Sequence, residues 1–165
     1  MSMPIIDITL RSMEFNRERT LGTLATIEKL SDPAKALGWR PGPGRAHIAW
    51  QIMHLGLTEE LFASDRFLGM PPAFADLLPR FRGGSTPDDN IPSLALIRDV
   101  LGQSREHLRN TILQLTEADL AKIPPALKER GINIGKALQI IVWHEAHHQG
   151  QAHITLNLFK AAGPG

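Results

Sequence analysis

Apolar residues recur at steps of three and four in four long stretches of the sequence, and this spacing constrains the fold more than any other feature. Such a period is typical of amphipathic α-helices that bury one face. The stretches run over residues 7–30, 46–68, 93–115 and 134–160. The segments between them are rich in proline and glycine, and we find no convincing strand pattern. The sequence therefore predicts an all-α fold, a four-helix bundle with long connections between helices 2 and 3 and between helices 3 and 4.

Length, charge and cysteine content narrow the class of protein. The chain has 165 residues, so we expect one domain with its own core over residues 1–165. The formal net charge of +1 predicts neither nucleic acid nor a membrane surface as a partner. The absence of cysteine excludes disulfides and thiolate ligands. Residues 1–7 lack a signal-peptide pattern, and no stretch approaches the length of a membrane span, so we expect a cytoplasmic location.

A cluster of histidines lies in the fourth predicted helix, at His144, His147 and His148. Residues four apart share one face of a helix, so His144 and His148 could bind one metal ion together. On a helical wheel both side chains point toward the other helices. An imidazole directed at a core needs a polar partner, and a shared metal is one such partner. The alternative is that these histidines are ordinary polar or half-buried residues.

A third metal ligand is predicted on the second helix, where His54 falls on the core-facing side. The set of His54, His144 and His148 would leave coordination positions open for water or substrate. With no cysteine in the chain, an all-histidine set suits zinc, nickel or iron better than magnesium or calcium. We expect His47 and His107 to be solvated or hydrogen-bonded surface residues.

The segment from His144 to His148 also matches H-E-x-x-H, the signature of zinc metalloproteases. In that chemistry Glu145 would be the general base. No acidic residue follows Glu145, however, and both Gly150 and His153 come one residue too early for the longer signature. These departures argue against a protease. Glu145 remains a candidate catalytic residue, beside the favoured alternative of a buried ion pair or hydrogen bond with an arginine.

Two motifs together resemble the DinB/YfiT-like family over nearly the whole chain. They are His54-Leu55-x-x-x-Glu59-Glu60 in the second helix and His144-x-x-x-His148-x-Gly150-Gln151 in the fourth. The resemblance implies a four-helix bundle with one divalent metal, often zinc or nickel, bound here by His54, His144 and His148. Some members are transferases or isomerases that use mycothiol, bacillithiol or glutathione, and many are described as metal-dependent hydrolases.

These observations predict a metal-dependent enzyme acting on a small-molecule substrate, with an external low-molecular-weight thiol as a possible second cofactor. Gln151 or Glu145 would support the ligands by hydrogen bonds. The alternative is a non-catalytic, metal-stabilised bundle that acts as a binding or stress-associated module. The fourth helix also carries apolar residues beside its main buried face, and an apolar surface that wide indicates contacts on two sides. These residues are Ile140, Trp143, Ile154 and Leu158. A homodimer is one source of the second contact, and the first helix of the same chain is the alternative.

Overall fold

A computed structural model describes residues 4–163, and the regular structure in this range is entirely helical. The ends of the expected domain, residues 1–3 and 164–165, lie outside the described part. The α-helices are α1 (Ile5–Glu28), α2 (Pro33–Gly38), α3 (Ile48–Leu61), α4 (Leu78–Phe81), α5 (Leu94–Leu113) and α6 (Ile134–Ala162). A π-helical segment, Phe62–Leu68, continues α3, and two 3₁₀ turns, Glu117–Ala121 and Pro125–Leu127, precede α6.

The all-α prediction is confirmed, and each predicted helix coincides with a long helix of the structure. The prediction of four helices is incomplete, because α2, α4 and the 3₁₀ turns are additional. Asp32 begins α2, where its carboxylate accepts a hydrogen bond from the Lys35 amide at 2.9 Å. The sequence predicts a connection where α2 lies, because six residues are too few for a clear helical period.

Side-chain caps set where the long helices begin. Ser93 accepts a hydrogen bond from the Leu96 amide at 3.2 Å, and Asn133 accepts one from the Lys136 amide at 2.8 Å. At the start of α3 the cap is His47, whose Nδ1 accepts from the Trp50 amide at 3.0 Å. This cap places α3 so that its buried residues begin immediately, at Ile48.

The interior consists of two apolar cores separated by polar side chains. On α6, Ile134, Leu138 and Ile141 belong to one core, and Ala152 and Leu156 belong to the other. The same division occurs on α1, on α5, and on α3 together with its π-helical continuation, which carries Ala63. The buried polar residues between the cores, which we call the polar layer, include Arg17 and Thr20 on α1, Glu59 and Glu60 on α3, Ser104 on α5, and Glu145 on α6.

The order of the two cores along each helix shows the direction of the helices. α1 and α6 run from the core that contains Met13 toward the core that contains Leu24, and they pack against each other. α3 and α5 run the opposite way, and they also pack against each other. α3 packs on α6 as well, which brings their polar middle sections together. None of the described helices is both long enough and apolar enough to span a membrane.

Candidate metal centre

The structure brings His54 of α3 next to His144 and His148 of α6. One ring nitrogen from each lies within 4.8 Å of the others. His54 is buried, whereas His144 and His148 are half-buried. The two histidines of α6 lie one helical turn apart and face α3, as their spacing predicted. The cluster therefore has one side in the interior and one side toward solvent.

In His54 and His148, a hydrogen bond to Nδ1 determines that Nε2 is the ring nitrogen that faces the cluster. Nδ1 of His54 donates to the carbonyl oxygen of Phe81 at 2.7 Å. Nδ1 of His148 donates to Oε1 of Gln51. In a neutral imidazole only one nitrogen carries a proton, so Nε2 of both residues presents a lone pair. Ligating histidines in metal sites are usually held by such outer hydrogen bonds.

Burial keeps the three imidazoles in the neutral form that a metal requires. Burial lowers the pKa of His54 against an opposing hydrogen bond to the Phe81 carbonyl. Burial, and then repulsion from the neighbouring histidines, lowers the pKa of His144 to about 3 and that of His148 to about 4. All three side chains are consequently uncharged at neutral pH, and none has to lose a proton to become a ligand.

The donor set fits a divalent transition metal. Nε2 of His54 and Nε2 of His144 lie 3.0 Å apart. Two nitrogens that bind one zinc ion at about 2.0–2.1 Å each lie roughly 3 to 3.4 Å from each other. Neutral imidazoles are typical ligands for zinc, nickel and iron, and oxygen-seeking cations such as magnesium are poorly matched to them.

The long connection between α3 and α5 forms one wall of this centre. Trp50 stacks on His54 with ring centroids 4.8 Å apart and planes 13° from parallel. Its Nε1 donates to the Arg80 carbonyl and to Ser85 Oγ, both at 3.1 Å. Arg80 in turn pairs with Asp88 at 2.8 Å. These contacts hold the connection against α3, with the Phe81 carbonyl directed at His54.

The other histidines lie outside the cluster. His147 stacks on Trp143 at 4.8 Å and bonds to Gln151 at 3.0 Å on the exposed side of α6, and its ring meets the edge of His148 at 5.0 Å between centroids. His107 is half-exposed and bonds to Glu60 at 2.9 Å, which agrees with the prediction of a hydrogen-bonded surface residue. The same prediction is wrong for His47, which is only 1% exposed. Its ring is buried because it caps α3 and also bonds to the Asp88 carbonyl.

Glu145 belongs to a buried ring of ion pairs. Among the described residues its side-chain hydrogen bonds go to Arg17, Thr20 and Arg105, and none goes to the histidine cluster. Its Oε1 accepts from Arg17 at 2.7 Å and from Thr20 at 2.9 Å, and its Oε2 accepts from Arg105. Glu59 completes the ring, at 2.8 Å from Arg17 and 2.5 Å from Arg105. The ion pair that the sequence suggested is the contact that Glu145 makes. With both oxygens occupied by arginines, Glu145 has little freedom to act as a base.

Two groups of this centre, Gln51 and the Phe81 carbonyl, were not predicted from the sequence. Gln51 precedes His54 by three residues, so helical periodicity places both on one face of α3 and could have indicated it. The Phe81 carbonyl belongs to the backbone of a connection and leaves no signal in the sequence. Gln151 bonds to His147 at 3.0 Å, and a hydrogen bond with Gln151 also acts on His148, where it opposes the lowering of the pKa by burial. This contact agrees with the predicted support from Gln151.

Comparison with known proteins assigns the family. The model of the DinB superfamily matches residues 12–152, which include the three histidines, the ring of ion pairs and the long connection. A comparison with curated proteins found no significant match. Because the family model covers most of the chain, the resemblance indicated by the sequence is confirmed, and the protein belongs to the DinB superfamily.

Proposed function

We propose that this protein is a metal-dependent enzyme that binds one divalent cation through His54, His144 and His148. Zinc or nickel is the proposed metal, with iron as a third candidate. The proposed reaction is transfer or isomerisation with a low-molecular-weight thiol, or hydrolysis of a small molecule. The site's geometry supports the metal, whereas these reaction classes come from the family resemblance.

The observation that carries the proposal is the convergence of three neutral imidazoles on one point. Three protein ligands leave at least one coordination position for another group, which is the pattern of catalytic metal sites. The half-buried positions of His144 and His148 give this point a side that solvent and small molecules can reach. A purely structural metal site is usually closed by four protein ligands.

The protein residues have distinct parts in such a site. When bound, the cation would act as a Lewis acid toward a substrate oxygen or a thiol. His54, His144 and His148 hold it, Gln51 and the Phe81 carbonyl orient two of these rings, and Trp50 covers one face of His54. The ion-pair ring fixes the residue next to His144 and so limits the motion of α6.

An activity screen of the reconstituted protein tests this proposal. The full chain loaded with zinc or with nickel would be assayed for glutathione, mycothiol or bacillithiol transfer to 1-chloro-2,4-dinitrobenzene, and for hydrolysis of p-nitrophenyl esters. We expect turnover that requires the metal and falls to background in His148→Ala, while the neighbouring control His147→Ala retains it. Equal turnover in the metal-free protein and in His148→Ala would contradict the proposal.

The alternative is a metal-stabilised bundle without catalysis. It would be supported if the metal binds stoichiometrically and raises the unfolding temperature, yet no substrate is turned over. The metal-loaded protein, the metal-free protein and the two histidine variants therefore distinguish the two functions, when metal binding and turnover are both measured.

A further inference from the structure

A groove of about 440 Å³ lies beside the metal centre, between the loop before α3 and the C-terminal half of α6. Gln51 and Gln151 line it at the end nearer the histidines. Gln51 also accepts the hydrogen bond from His148, and Gln151 contacts His147. The groove is therefore continuous, through these two side chains, with the histidine-bearing face of α6.

The walls of the groove have the character of a site for an amphiphile. Ala46 and the α6 residues Ile154 and Leu158 give it an apolar surface, and Ile154 is 61% exposed. The groove has one cationic lining residue, Arg45, and no carboxylate among its described lining residues. Within residues 4–163 the Arg45 guanidinium has no ion pair or side-chain hydrogen bond. By contrast Arg40, which donates to the Arg45 carbonyl at 3.1 Å, is paired with Asp89.

We propose that this groove binds the non-reacting part of the substrate, and that the substrate is a small amphiphilic carboxylate. Its carboxylate pairs with Arg45, because a guanidinium binds a carboxylate through two parallel hydrogen bonds. Its hydrocarbon part lies on Ile154 and Leu158, which removes exposed apolar surface from water. Its opposite end then extends past Gln51 toward the histidines. The inference rests on the proposed function and adds the class of substrate.

Chemical-shift titration of the ¹⁵N-labelled full chain tests the groove. Hexanoate, hexan-1-ol and hexylammonium would each be added to the zinc-loaded protein and, in parallel, to the metal-free protein. We expect hexanoate to shift the amides of Arg45, Gln51 and Ile154 in both forms and to bind more tightly than the other two. Binding to the metal-free protein excludes simple coordination of the carboxylate to zinc.

Two substitutions separate the charge from the apolar wall. Arg45→Gln should weaken hexanoate about three- to fivefold and leave hexan-1-ol unchanged, since an exposed ion pair contributes little. Leu158→Ser should weaken both ligands. The matched control is Arg109→Gln, which removes one exposed cation of α5 that does not line the groove.

Three results would overturn the inference. The first is that hexanoate shifts amides outside the groove. The second is that Arg45→Gln and Arg109→Gln change the affinity for hexanoate equally. The third is that the groove amides shift with protein concentration and not with added ligand, which would indicate a second copy of the chain on this face. Failure here with normal metal binding and turnover removes only the substrate class. Failure of turnover with hexanoate still bound in the groove removes the proposed function and the groove's role as a substrate site, and leaves a groove that binds carboxylates.

Discussion

The ring of ion pairs predicts a large loss of stability when one arginine is removed. Arg17, Glu59, Arg105 and Glu145 come from α1, α3, α5 and α6, so the ring joins the long helices inside the polar layer. Arg17 is 8% exposed and bonds to Glu145, to Glu59 and to the Leu101 carbonyl at 2.7 Å. Burial opposes the charged form of Arg17, but the two carboxylates outweigh it and raise its pKa.

Arg17→Met retains an apolar side chain of similar length and removes the charge. Two buried carboxylates then share Arg105 alone, which leaves one negative charge without compensation. Breaking a buried pair in this way costs about 3–5 kcal/mol of unfolding free energy. For a chain of 165 residues each kcal/mol corresponds to about 2–4 °C in the unfolding temperature, so we expect a drop of roughly 6–20 °C.

Thermal and urea unfolding, followed by circular dichroism, would measure this loss. Arg98→Met is the matched control, because Arg98 of α5 bonds to Glu28 of α1 at 2.9 Å on the surface. An exposed pair of this kind contributes about 0–1 kcal/mol. Arg17→Lys keeps the charge without the planar guanidinium and should fall between the two. If the unfolding free energies of Arg17→Met and Arg98→Met differ by less than about 1 kcal/mol, the reasoning about the ring is refuted.

Three further predictions follow from the site and its surroundings. Gln51→Ala should weaken zinc binding about 10–100-fold, measured by competition with a chelator, because His148 loses the hydrogen bond that orients its ring; an unchanged affinity would remove Gln51 from the site. Burial lowers the pKa of His47 below its ordinary value of 6.5, so the unfolded chain binds this proton first and the unfolding free energy should fall as pH drops below about 6.5. His54, His144 and His148 act in the same direction, so His47→Asn, which keeps a capping acceptor, should make the dependence less steep in urea unfolding without removing it, and an identical slope would count against the prediction. We also expect a dimer through the apolar face around Trp143, which is 60% exposed beside Ile5 and Ile8; light scattering should give a dimer at micromolar concentration and a monomer for Trp143→Glu, and a monomeric wild type would exclude it.

Helical periodicity predicted the long helices well because the spacing of apolar residues directly indicates which face of a helix is buried. Ile134, Leu138 and Ile141 fall on the buried face of α6 as expected. The same reading fails on α1, where Leu21 is 38% exposed while Arg17 and Thr20 are buried. A hydrophobic pattern cannot reveal a polar layer, because the burial of Arg17 depends on carboxylates from two other helices.

The metal centre was partly predictable for a similar reason. The spacing of His144 and His148 gives their common face, and the position of His54 gives the face of α3. The support for these rings was not predictable in full, since the Phe81 carbonyl reaches His54 only through the path of a long connection. His47 was misjudged because its burial results from capping a helix, a role that histidine takes less often than serine or asparagine.

The most direct test of the account is a side-by-side titration of zinc into four variants of the untagged protein. We expect one equivalent of tightly bound zinc in the wild type. His54→Ala, His144→Ala and His148→Ala should each lose tight binding, because each removes one of the three converging nitrogens. His147→Ala should keep most of it, because the His147 ring stacks on Trp143 and touches only the edge of His148, without a nitrogen among the three that converge. Loss of zinc from His147→Ala with retention by His148→Ala would contradict the central claim.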